Sequence, residues 1–117
     1  MGTDISIGWL CVDAADPVAL AEWWSKLVGG EVSVDQDGEA ILRGGTIPLL
    51  FLEVQDPKSV KNRLHLDLKV GDDDYETAVE RAISLGATPA DEIYRGDDWR
   101  VLRDPEGNEF CIIRPPE

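Results

Sequence analysis

The sequence predicts an α+β fold built from two βαβββ units, and three observations carry that prediction. Two stretches are punctuated as helices at both ends. Each is preceded by one β segment and followed by three shorter ones. The halves are also weakly self-similar: an offset of 56 superposes Asp16 on Asp72, Gly30 on Gly86, Leu10 on Leu66 and Val12 on Leu68. Past an insertion in the second copy, an offset of 60 places Ile41-Leu42-Arg43 on Val101-Leu102-Arg103. An ordered repeat of this kind marks a duplicated unit.

The elements follow in order. A first strand is expected over 5–12, then a helix from Asp16-Pro17 to Gly29-Gly30. Asp16 can cap free amides, Pro17 suits the first helical position, and the glycines suit the C-terminal end. Leu20, Trp23 or Trp24, Leu27 and Val28 recur at helical spacing between them. One of the two adjacent tryptophans must then be core, leaving the other for the surface or a dimer contact. Strands over 32–34, 40–43 and 49–54 complete the unit, with turns at Asp37-Gly38 and Gly44-Gly45. After a linker over 55–61, strict alternation over 63–70 announces the next strand. The run Gly71-Asp72-Asp73-Asp74 favours a helix N-terminus, and the stripe Tyr75, Ala78, Val79, Ala82, Ile83 ends at Leu85-Gly86-Ala87. Strands over 88–94, 99–103 and 109–113 close the chain, turning at Gly96-Asp97-Asp98 and Asp104-Pro-Glu-Gly-Asn108. The expected organisation is one domain over 1–117, with modules at about 4–55 and about 62–115.

Composition narrows the function. With 43% apolar residues in 117, the chain is ordinary for a globular domain. Eleven Lys and Arg against 24 Asp and Glu give a net charge of −13, which repels nucleic acid and anionic membrane. No apolar run approaches the roughly 20 residues of a membrane span, and the start of the chain lacks a signal peptide's basic and apolar regions, so a cytoplasmic location is expected. Cys11 and Cys111 suggest neither a disulfide framework nor a Cys-x-x-Cys metal site. His65 is the only imidazole, which excludes sites that need two histidines from one chain, and no serine stands in a recognisable triad pattern with it. Phosphate-binding glycine loops and nucleophile elbows are absent.

Four segments carry a family resemblance: 16–29; Lys61-Asn-Arg-Leu-His-Leu-Asp-Leu68; Leu85-Gly-Ala87; and Asp104-Pro-Glu-Gly-Asn-Glu-Phe110. In this order and spacing the chain resembles the vicinal oxygen chelate superfamily of glyoxalases, extradiol dioxygenases and bleomycin-resistance proteins, and in particular its glyoxalase-like domain branch. The resemblance implies two βαβββ modules whose mixed sheet curls into an open trough, with helices outside, the ligand on the concave face, and a homodimer.

Alternation then distributes residues between faces. Leu64, Leu66, Leu68 and Val70 are expected to be core, with Arg63, His65, Asp67 and Lys69 in the trough. By offset, Leu10 and Val12 are core, and Ile7, Trp9, Cys11 and Asp13 face the trough. Phe110 and Ile112 read as core; Glu109, Cys111 and Ile113, with Phe51 and Glu53 by the offset of 60, read as trough. The family's metal positions correspond by resemblance to Trp9, Phe51, His65 and Cys111, of which only His65 is a normal ligand for the metals concerned. No metal or other cofactor is therefore expected. The expected ligand-binding set is Trp9, Phe51, Glu53, Arg63, His65, Asp67, Trp99, Glu109 and Cys111. Aromatic faces edged by carboxylates favour a flat or cationic small molecule. His65 and Cys111 are the catalytic candidates, as a thiolate–imidazolium pair. The alternative reading is a metal-dependent lyase or dioxygenase that uses His65 with rearranged carboxylates.

Overall fold

A computed structural model describes residues 4–45, 47–70, 74–96 and 98–114. The chain forms two units, residues 1–57 and 58–117, each described here by itself. Both have the predicted βαβββ order.

In the first unit, β1 (Leu10–Ala14) leads into α1 (Pro17–Val28). The Asp16 carboxylate accepts the Ala19 amide at 3.1 Å, which fixes the start of α1, and Gly29 takes positive φ at its end. Gly30 follows with φ +96°, and a Cβ there would stand 2.3 Å from the Arg43 carbonyl oxygen, so only glycine lets α1 turn back beside the sheet. Then come β2 (Glu31–Val34), β3 (Ala40–Arg43) and β4 (Leu49–Glu53). The sheet order is β1-β4-β3-β2, with β1 and β4 parallel and the remaining pairs antiparallel. One face buries Ala14, Ala40, Leu42 and Phe51, and α1 buries Leu20, Ala21, Trp23 and Trp24. Both tryptophans are core, packed edge-to-face with centroids 5.2 Å apart; neither is left for a dimer contact.

The second unit repeats the plan with β5 (Leu66–Lys69), α2 (Tyr75–Ser84), β6 (Thr88–Pro89), β7 (Trp99–Arg103) and β8 (Glu109–Ile113), in sheet order β5-β8-β7-β6. Asp74 caps α2 by accepting the Glu76 amide at 3.1 Å; the rest of the acidic helix-start run, 71–73, lies outside the described residues, as does Asp97 of the expected turn. Leu102, Phe110 and Ile112 are buried on one sheet face, and α2 buries Tyr75, Val79 and Ala82.

Three strand expectations change. β1 begins at Leu10, leaving Ile5 and Ile7 exposed. β5 begins at Leu66, so Leu64, expected in the core, is 83% exposed. The predicted strand over 88–94 shrinks to two residues: the Ala90 amide still donates to Val101 O, and the chain then turns through Ile93 N–H to Ala90 O. Ile93 and Tyr94 of the chain freed by that turn, with Ile113, pack on Ala90, Val101 and Cys111 on the sheet face opposite α2. The insertion seen in the sequence thus becomes a cover over one sheet face.

Candidate functional site

Register decides which side chains meet. In the second unit Asp67 lies opposite Cys111, and Cys111 lies opposite Val101, so all three share the face away from Leu102, Phe110 and Ile112. His65, just before β5, reaches the same cluster: its Nδ1 stands 3.3 Å from Asp67 Oδ1. One donor atom each from His65, Asp67 and Cys111 falls within 4.8 Å of the others. His65 and Asp67 are exposed, while Cys111 is buried.

The electrostatics of Cys111 oppose the expected thiolate–imidazolium pair. Burial pushes the thiol up to about 11, and the Asp67 carboxylate, which hydrogen-bonds to it, pushes the same way. Cysteine nucleophiles need the opposite shift. Burial and the neighbouring carboxylate thus favour the protonated thiol over the expected thiolate.

A metal held in the family's manner does not fit the residues present. The first unit's counterparts offer no donor: Trp9 stands where His65 stands, and Leu50, not Phe51, where Cys111 stands. Leu50 pairs with Cys11 and Ile41 as Cys111 pairs with Asp67 and Val101, an offset of 61 (111 − 50). The connection from Leu42 to its partner Leu49 is one residue shorter than that from Leu102 to Phe110. A one-residue change of register exchanges sheet faces. Phe51 therefore shares a face with Val12 and Ala40 and is fully buried, and Glu53 shares that face with Ala14 at the strand end, exposed. Both were expected on the other face.

Glu109 is also reassigned. Its side chain is 4% exposed; Lys58 Nζ lies 3.1 Å from one oxygen, Arg103 Nε 3.3 Å from the other, and the Asn62 amide donates at 2.9 Å. Burial pushes the carboxyl up, but the Asn62 amide, Lys58 and Arg103 together outweigh it and hold it down at about 2. This carboxylate ties residues 58 and 62 to β8 and is neutralised by its own partners, so it is no free edge charge for a cationic ligand. Arg63 lies in a bend before β5 and is exposed, outside the alternation that assigned its face.

The aromatics divide between the units. Trp99 lies opposite Ile113, on the same face as Cys111, and is 36% exposed. Tyr94 stacks on it with centroids 3.8 Å apart and planes 10° apart. Tyr94 was not anticipated, because the insertion was read as strand. In the first unit Trp9 is 43% exposed, and the Arg43 guanidinium stands 5.7 Å from its ring centre.

Comparison with known proteins follows this geometry. A model of the glyoxalase-like domain matches residues 9–113. Among solved structures, the oxidase ChaP-H2 is 24% identical, with 97% of this chain and 96% of that chain covered and a TM-score of 0.72. A glyoxalase/bleomycin resistance protein/dioxygenase family enzyme from Burkholderia phytofirmans PsJN is 22% identical over 92% and 96%, with a TM-score of 0.72. The fosfomycin resistance protein FosX from Mesorhizobium loti is 14% identical over 92% and 90%, with a TM-score of 0.70. No curated protein sequence matches the chain.

Proposed function

From the premise that the chain belongs to the glyoxalase-like domain family, we propose that it binds a small flat or cationic organic molecule, without a resident metal, as a cytoplasmic homodimer. The observation that carries this reading is the Trp99–Tyr94 stack on the same sheet face as the exposed Asp67. The partly exposed Trp99 indole beside the half-buried Ile113 suits a planar ring, and Asp67 supplies one negative group with which a cation can pair. Lys69 shares that face opposite Ile113, so planarity is the stronger selector and charge the weaker one.

A second reading is favoured by the convergence of His65, Asp67 and Cys111. Here Asp67 is the rearranged carboxylate of a metal-dependent lyase or dioxygenase, and His65 and Asp67 hold the ion. That metal would supply Lewis acidity. One preparation separates the two. Elemental analysis after purification without chelator should find no stoichiometric Ni, Zn, Fe or Mn. A panel of aromatic and basic metabolites and antibiotics should then give hits by tryptophan fluorescence and thermal shift. Trp99→Ala should weaken those hits about tenfold with little salt dependence, and Asp67→Asn should weaken only the cationic ones. Near one equivalent of metal, lost in His65→Ala, selects the second reading; hits that ignore Trp99→Ala sink the first.

A further inference from the structure

On the α2 side of the second sheet lies a recess of about 210 Å³, lined by Tyr75, Glu76, Asp91, Arg95, Gly96, Arg100 and Arg114. The face is fixed by register: Arg100 lies opposite Ile112, whereas Cys111 and Asp67 point the other way. Three of the chain's eleven basic residues meet here, in a molecule with net charge −13. Among the described residues that line it, three guanidinium groups stand with the two carboxylates of Glu76 and Asp91. Arg114 is already ordered, its guanidinium 4.3 Å from the Tyr75 ring centre and 3.7 Å from Glu76 Oε1.

Tyr75 supplies the independent sign of a ligand. It is 5% exposed, and among the described residues its buried hydroxyl has no hydrogen-bond partner. A buried hydroxyl left unpaired costs about 1–3 kcal/mol, so native proteins almost always satisfy it. Burial pushes this phenol up, while Arg114 and Arg100 pull it down, which places the hydroxyl within the field of the arginines that line the recess. A neutral phenol donates its proton, as do guanidinium forks, and the partner common to both is an oxyanion.

We propose that this recess is a binding site for a small oxyanion, the phosphate or carboxylate group of a small metabolite, held by Arg95, Arg100 and Arg114 with the Tyr75 hydroxyl as a further donor. The volume is below that of drug-sized pockets, which run from about 300 Å³ upward, and it accommodates a small anion. Arg100 lies on the opposite sheet face from Trp99 and Asp67, while the recess adjoins that site through the insertion, where Gly96 stands against the Tyr94 hydroxyl; phosphate binding that survives Trp99→Ala shows that the two sites are separate.

The test uses the whole chain with inorganic phosphate and acetate as probes at matched ionic strength, read by thermal shift and titration calorimetry. At least one anion should raise the melting temperature in a saturable way. Arg100→Gln should weaken that binding about tenfold or more. Tyr75→Phe, which keeps the packing, should weaken it about tenfold. Lys26→Gln, an equal charge change in the other unit, should leave it intact. Preference for phosphate or for acetate identifies the group recognised. The proposal is overturned if neither anion stabilises the protein at about 10 mM, or if Tyr75→Phe and Lys26→Gln respond alike. Should Arg100→Gln fail to fold, the Tyr75→Phe comparison decides alone.

Discussion

Glu109 and Cys111 stand two residues apart on β8, and their surroundings drive them in opposite directions. Glu109 is buried against Lys58, Arg103 and the Asn62 amide and stays ionised; Cys111 is buried against a carboxylate and stays protonated. Because Glu109's folded pKa lies below its unfolded value of about 4.3, its contribution is complete above that value and is lost as pH falls toward about 2. Urea unfolding at neutral pH should find Glu109→Gln less stable by up to about 3 kcal/mol. The gap should close as pH drops from about 4.5 to about 2. An unchanged gap at pH 3 would show that the carboxylate does not carry this stability. Sequence alone identified Glu109 as an inward-facing carboxylate, but Lys58 lies 51 positions away, and no local pattern announces that pairing.

Strand faces were right wherever the ladder runs regularly and wrong wherever a turn changed length. Alternation in β5 and β8 placed Asp67 and Cys111 on one face and Leu66, Leu68, Phe110 and Ile112 on the other, as register has them. The carry-over to β4 erred because the β3–β4 connection is one residue shorter than its counterpart, which exchanged Phe51 for Leu50. Phe51→Ala should therefore cost about 3–5 kcal/mol in chemical denaturation, as for a buried aromatic, and Leu50→Ala clearly less. Equal costs would contradict the register. The insertion before β7 had a larger effect: read as strand, it hid Tyr94, which stacks on Trp99 and helps cover that sheet face. Pro89 was the available signal, since a strand proline marks an edge strand, whose outward amide has no partner.

Taken whole, the molecule is a duplicated βαβββ unit. Each sheet taken by itself ends in edge strands, β1 and β2 in one and β5 and β6 in the other, and the exposed Ile5, Ile7 and Leu64 precede two of them. Exposed apolar side chains of this kind are what a second copy would cover, and the proposed dimer has a direct test. Light scattering at tens of micromolar should give twice the chain mass of 12.9 kDa, and a monomer would remove dimerisation from the reading. Among the described residues no helix is long and apolar enough to cross a membrane. The sequence by itself determined the βαβββ order, the Asp16 cap of α1, the acidic start of α2, part of each core and the net charge. These follow from periodicity, capping chemistry and composition, which act over a few neighbouring residues or none. Only the tertiary structure decided that Phe51 is core, that Glu109 is neutralised by Lys58 and Arg103, and that three arginines and Tyr75 line one recess. Those outcomes depend on turn length and strand register, which bring distant residues together and leave no periodic trace in the chain.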